Sequence, residues 1–320
     1  MRDPTWRIGC VSCRVFLCAA LFLGIDPAAD NAAPPSKSTK YKQAAIALAT
    51  GAAEGMEQAG KVIEQKTRAE ANWKKVFKEG KAPHLETDNL LLFGKPPNKS
   101  LAAIGAVLEK QFVLARKTLG LEEEAPWPGK LAVYFFADRG KFTSFIRTVE
   151  GRRPESEDLG SFHIRSDFPH VAAGPPREPH DPSLEAQAAE QLASALLVKK
   201  AGTNLPEWVL VGFGRATYYR AAGPREYLGE RKRAARLLTV RKASAMDVWE
   251  NNLPAEAAPV LRGSLVDFLA LGPGKTKFLA FLEGYKPGEN MVQKTTADAF
   301  KAANISPKIV NQKWKAWVRR

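Results

Sequence analysis

The chain has 320 residues, 45% of them hydrophobic and 26% charged, which is enough apolar material for a packed core and excludes a disordered or fibrous polypeptide. A formal charge of +14 points to polyanions as partners: nucleic acid, acidic lipid or an anionic cell-wall polymer. There are three cysteines, Cys10, Cys13 and Cys18, all near the N-terminus, so the rest of the chain has neither disulfides nor a cysteine zinc site.

Arg2, Arg7 and Arg14 precede an apolar run from Val15 to Ile25. A run of about eleven residues suits a secretory signal and is too short to span a bilayer. Small residues follow, and cleavage is expected between Ala28 and Ala33, giving a signal peptide over 1–33 and an exported protein. No lipid-attachment motif surrounds Cys18. Asp3, Asp26 and Asp30 balance the three arginines, so cleavage leaves the net charge unchanged.

Residues 34–42 read as a linker. Over 43–77, Ala45, Leu48, Ala52, Met56, Ala59 and Ile63 fall at helical steps. Gly51, Gly55 and Gly60 weaken that pattern by about 1 kcal/mol each. A linker and Ala-rich helical stalk is expected over 34–80, and a compact domain over 81–320.

Within that domain, His84 to Gly94 reads as a strand, and the apolar stripe from Ser100 to Leu119 as a helix stopped by Gly120. Lys130 to Ala137 is a buried strand, and Asp138 caps a helix carrying Phe142, Phe145, Ile146 and Val149. Two short strands, around Phe162 and around Val171, form a hairpin turning at Ser166-Asp167. Asp181-Pro182 announces a helix to about Lys200, with Leu184, Ala188, Leu192, Ala195 and Leu196 as its apolar stripe and Gly202 as its stop. A second helix opens after Pro206, and a basic one runs from Arg225 to Lys242. Others follow at 256–271, 275–284, 293–303 and 306–319. Helices follow strands rather than alternating with them. The expected class is therefore α+β: a small mixed or antiparallel sheet over 81–180, then a helical part over 181–320. There is no internal repeat.

Three segments carry a family likeness: Glu190 to Leu197 (EQLASALL), Leu205 to Gly214 (LPEWVLVGFG) and Val310 to Val318 (VNQKWKAWV). With the strand Tyr134-Phe135-Phe136-Ala137-Asp138 ahead of them, residues 83–320 resemble the gluzincin-type, peptidase clan MA-like domains of exported bacterial proteins of unknown function. The resemblance implies a zincin-like helical subdomain with two histidines four apart on one helix, a glutamate base between them and a third ligand on the next helix. Aligned without gaps, the histidine positions hold Glu190 and Ser194, the base position Gln191 and the third-ligand position Val211. Shifting by one residue keeps Glu190 as base and puts Ala189 and Ala193 at the histidine positions.

Zinc in such a site needs two imidazoles on one helix face and a carboxylate, leaving a fourth position for water. A carboxylate, an amide, a hydroxyl and an isopropyl group do not supply that set. No zinc or other cofactor is expected, and the chain reads as a pseudoenzyme, a non-catalytic metallopeptidase-like protein. Arg215, one turn beyond Val211, is placed to set a guanidinium beside Glu190 where the ion would be. Trp208 is a candidate cleft residue.

The alternative is an active peptidase with non-standard ligands drawn from His163 or His170, which can meet across the hairpin. His180 is close by in sequence, and His84 has no evident partner. No Gly-x-Ser-x-Gly elbow surrounds Ser194, and the Gly212 to Thr217 stretch lies inside a helix rather than after a strand, which excludes a dinucleotide loop. Arg231, Lys232, Arg233 and Arg236 form a basic patch. The expected partner is a peptide or an anionic envelope polymer rather than nucleic acid. A scaffold whose cleft holds no ligand is a third reading. Trp314 and Trp317 are expected to dock the last helix.

Overall fold

The computed structural model describes residues 60–77, 82–97, 99–123, 125–164, 168–179, 181–287 and 293–320. The expected signal peptide (1–33) and the linker lie outside them. None of the described helices is long and apolar enough to cross a membrane.

The protein is α+β. Helix α1 (60–76) is followed by β1 (His84–Glu86), β2 (Leu90–Gly94), α2 (Leu101–Leu119), β3 (Leu131–Phe135), α3 (Arg139–Thr148), β4 (Gly160–His163) and β5 (His170–Ala173). The strands make one mixed sheet in the order β1-β2-β3-β5-β4. Its middle three strands run parallel, and each edge strand is antiparallel to its neighbour. The continuous apolar runs of β2 and β3 reflect burial on both faces.

Alternation along the strands divides the core. Leu90, Leu92, Leu131, Val133, Phe135, Val171 and Ala173 face α2 and the later helices. Leu91, Phe93, Ala132, Tyr134, Phe136 and Ala172 face α1 and α3. Trp73 of α1 is buried and stacks on Phe136 at 5.8 Å, and Tyr134 Oη donates to Ala69 O at 3.2 Å. The stalk expected over 34–80 is therefore, in its 60–77 part, a covering layer of the sheet. Among the described residues, the compact unit thus begins ahead of Lys81, with α1.

The expected single strand over His84 to Gly94 is a hairpin. Glu109 of α2 holds its turn, accepting from Thr87 Oγ1 at 2.6 Å and from Asn89 N at 3.2 Å.

The helical part comprises α4 (Leu184–Ala201), α5 (Glu207–Ala222), α6 (Pro224–Val240), α7 (Ala245–Trp249), α8 (Ala258–Val266), α9 (Phe278–Glu283), α10 (Thr296–Ala302) and α11 (Pro307–Val318). A π-helical turn, Asp267–Leu271, extends α8, and a 3-10 turn, Lys275–Lys277, leads into α9. The cap of α4 is Ser183, whose hydroxyl accepts from Ala186 N, and not Asp181. Asp181 instead closes the preceding turn, accepting from Arg177 N and Glu178 N at 2.9 and 3.0 Å. Nearly every residue of α4 is buried, polar ones included.

Candidate functional site

Helix α5 lies between α4 and α8 at close range, because glycines face both neighbours. A methyl group at Gly212 would meet Arg262 O at 2.7 Å, and one at Gly214 would meet Glu190 Cα at 2.6 Å. Gln111 of α2 is fully buried and ties the crossing together. Its Nε2 donates to Ala189 O, Gly214 O and Thr217 Oγ1 at 3.0, 3.1 and 2.9 Å.

The four degenerate positions gather at this crossing with unequal surroundings. Glu190 and Ser194 are buried, whereas Gln191 and Val211 are half-buried. Gln191 lies over Gly160 of the edge strand β4, where a methyl group would stand 2.7 Å from its Cγ. Oε1 of Glu190 has no hydrogen-bond partner. Burial pushes its carboxyl up to about 7, against the pull of Arg215 and Arg262.

Those two guanidinium groups are committed elsewhere. Arg215 pairs with Glu230 at 2.5 Å and stacks over the Tyr219 ring at 5.1 Å. Arg262 pairs with Glu207 at 2.9 Å. The direct pair expected between Arg215 and Glu190 is not formed. Glu230, one turn into α6 from Glu226, is the better-placed acceptor, and Glu190 feels Arg215 only through the field. Neither Glu230 nor Arg262 stood out in sequence, since each lies on a different helix from its partner. Trp208 is a core residue, not part of a cleft wall: it is 3% exposed and packs on Phe281 at 5.9 Å.

His163 and His170 do meet. They are directly paired across β4 and β5, and their rings stack at 5.4 Å. His170 packs on Tyr134 and Phe145, on the α1–α3 side of the sheet. Helix α4 covers the opposite face, so the two histidines cannot join Glu190 in one site. Their acidic neighbour is Glu150, whose Oε1 is 3.6 Å from His170 Nε2 and whose Oε2 accepts from Ser161 Oγ at 2.8 Å and Arg152 Nε at 2.9 Å. Burial works to raise the Glu150 carboxyl, but nearby His170, with Ser161 and Arg152, outweighs it and holds that carboxyl below the ordinary value. Burial, then His170, lowers the His163 imidazole. Among the described residues, no three His, Cys, Asp or Glu side chains are grouped so as to hold a metal ion.

On α6, Lys232, Arg233 and Arg236 are exposed, as is Arg225, and none of the four has an ion-pair partner among the described residues. Leu228 and Val240 are exposed on the same helix. Arg231 differs: its guanidinium lies 4.5 Å above the Trp317 ring and donates to Trp317 O, pinning α6 to α11. The basic patch is thus three of the four expected cations plus Arg225. Ala234 and Leu238 anchor the helix from behind.

No family model and no curated protein matches the chain.

Proposed function

We propose that this protein is an exported, non-catalytic relative of the gluzincin peptidases that binds an anionic envelope polymer through the outer face of α6. The observation carrying the reading is that face: a 17-residue helix with Arg225, Lys232, Arg233 and Arg236 in solvent and uncompensated. A rigid row of fixed cations suits a repeating polyanion, because each contact releases a counterion without ordering the protein further. The non-catalytic part rests on the α4–α5 crossing. Its aligned positions offer one buried carboxylate, and the nearest imidazoles are behind the sheet. A peptide ligand is the weaker alternative, since α6 offers it charge and only the isolated apolar groups of Leu228 and Val240.

The test is titration of the full chain with poly-L-glutamate and with polyphosphate across a range of salt. Affinity should fall linearly with the logarithm of salt, and the triple variant Lys232→Ala, Arg233→Ala, Arg236→Ala should flatten that slope by about two to three. An unchanged slope removes α6 as the binding face. Stoichiometric zinc in the purified chain, lost to a chelator together with peptide hydrolysis, would overturn the non-catalytic reading.

A further inference from the structure

A cleft of about 280 Å³ opens between the loop entering α2 and the first turn of α4, and none of its lining residues lies on α6. Its walls are apolar and rigid: Pro96, Pro97, Pro176 and Leu184. Its volume is near the lower end for small-molecule sites, and the few polar groups are held together at one place, as such sites require.

Those groups are Glu185, Lys99 and Tyr218, with Ser183, whose hydroxyl is engaged in capping α4. Glu185 is 6% exposed, fixed in the first turn of α4. One of its oxygens, Oε1, is buried without a hydrogen-bond partner, while Oε2 takes Lys99 Nζ at 2.5 Å. The Lys99 side chain is 54% exposed, so this ion pair joins a stationary buried anion to a cation arriving from solvent on a four-carbon stem. Burial, then the Glu185 carboxylate, keeps the Tyr218 phenol protonated. A buried carboxyl that is to stay ionised needs a cation beside it, but nothing in the geometry requires that the cation be Lys99.

We propose that this cleft binds an organic ammonium ion carried on a small apolar body, which takes the place of Lys99 on Glu185. The apolar body lies between the prolines and Leu184, and the displaced Lys99 amine returns to water. The exchange conserves charge at Glu185, so the ligand does not have to compensate an unpaired anion. A carboxylate ligand is repelled by the same group. A neutral one leaves Lys99 in place and gains only the apolar contact. The site is independent of the polymer reading of α6.

Lys99 acts as a tethered competitor, present at an effective concentration in the millimolar range. Removing it should tighten ligand binding by about tenfold or more. The experiment is saturation-transfer NMR on the full chain at neutral pH, with phenethylammonium, 2-phenylethanol and 3-phenylpropionate as probes. Phenethylammonium should saturate, bind about tenfold tighter to Lys99→Ala, and lose its advantage over 2-phenylethanol in Glu185→Gln. Far-UV circular dichroism reports whether Glu185→Gln folds. If it does not, Lys99→Ala decides alone, because that variant leaves the buried acid in place. Equal binding of the three probes, or a Lys99→Ala chain that binds phenethylammonium no more tightly than the parent, overturns the proposal.

Discussion

Replacing Gly214 by alanine adds one methyl group at the α4–α5 crossing. The new Cβ falls 2.6 Å from Glu190 Cα and 3.2 Å from its Cβ and Cγ. Carbon atoms settle at about 3.5–4.0 Å, so the helices must part by on the order of 1 Å. The obstructing atom is main chain in the middle of a buried helix and cannot swing aside. Overpacking of this kind costs about 1–3 kcal/mol. Parting the helices also stretches the bonds from Gln111 Nε2 to Ala189 O and Gly214 O, each worth about 1 kcal/mol. The better helix propensity of alanine offsets about 1 kcal/mol, leaving a net loss of about 2–3 kcal/mol. Gly229 on α6 is the control, because a methyl group there meets nothing within 4 Å. The same change at Gly229 should stabilise by about 0.5–1 kcal/mol. Urea unfolding measures both, with m unchanged and the midpoint moving in opposite directions. On heating, Gly214→Ala should melt about 5–10 °C below the parent. A Gly214→Ala chain as stable as the parent would refute the close crossing of these helices.

Two further perturbations test the electrostatics. Glu190, held up at about 7 against an ordinary 4.5, keeps in the folded chain a proton that the unfolded chain releases, so stability falls as pH rises between those values. The slope is about 1.4 kcal/mol per unit for one group. Glu190→Gln should match the parent near pH 4 and exceed it by about 3 kcal/mol at pH 8, read from urea unfolding at both; an equal difference at both would contradict the assignment. Arg231→Ala, which loses the Trp317 stack and its bond to Trp317 O, should cost about 1–2 kcal/mol, whereas Lys232→Ala should stay within about 0.5 kcal/mol in the same thermal assay.

The helices of the second half were legible because their ends carry chemistry. Gly202 closes α4 and Pro206 opens α5, as their residue types require. The start of α4 was misplaced by two residues because Asp181-Pro182 and Ser183 are both good openings. Only the fold shows that the Asp181 carboxylate is occupied by the amides of Arg177 and Glu178. The β1–β2 hairpin was hidden because Thr87-Asp88-Asn89 is polar enough for an exposed strand. What makes it a turn is Glu109, some twenty residues later. The docking of α1 depends on Trp73 meeting Phe136, a contact between segments that no local pattern links.

The candidate site was harder to read, for a reason visible in α4 itself. In sequence, Glu185, Gln187, Glu190, Gln191 and Ser194 resemble the wet side of a half-buried helix. In the fold α4 is enclosed, and the rest of the chain meets its polar groups only in part, leaving Oε1 of Glu185, Gln187 and Glu190 without a hydrogen bond. Lys99, in the loop before α2, meets Glu185, and Pro182 O takes Gln187 Nε2 at 2.7 Å. Gln191 lies over Gly160, and the field of Arg215 and Arg262 reaches Glu190. The hairpin spacing did allow His163 to meet His170. Which face of the sheet they share, however, depends on whether His170 or Val171 points toward α4, and the pairing of β5 with β3 decides that. With Val171 and Ala173 turned to α4, the imidazoles must lie behind the sheet. One residue of register in β5 thus separates a chain that could bring Glu190 and the two imidazoles to one place from this one, where the stacked imidazoles lie behind the sheet beside Glu150 and Glu190 lies in front of it.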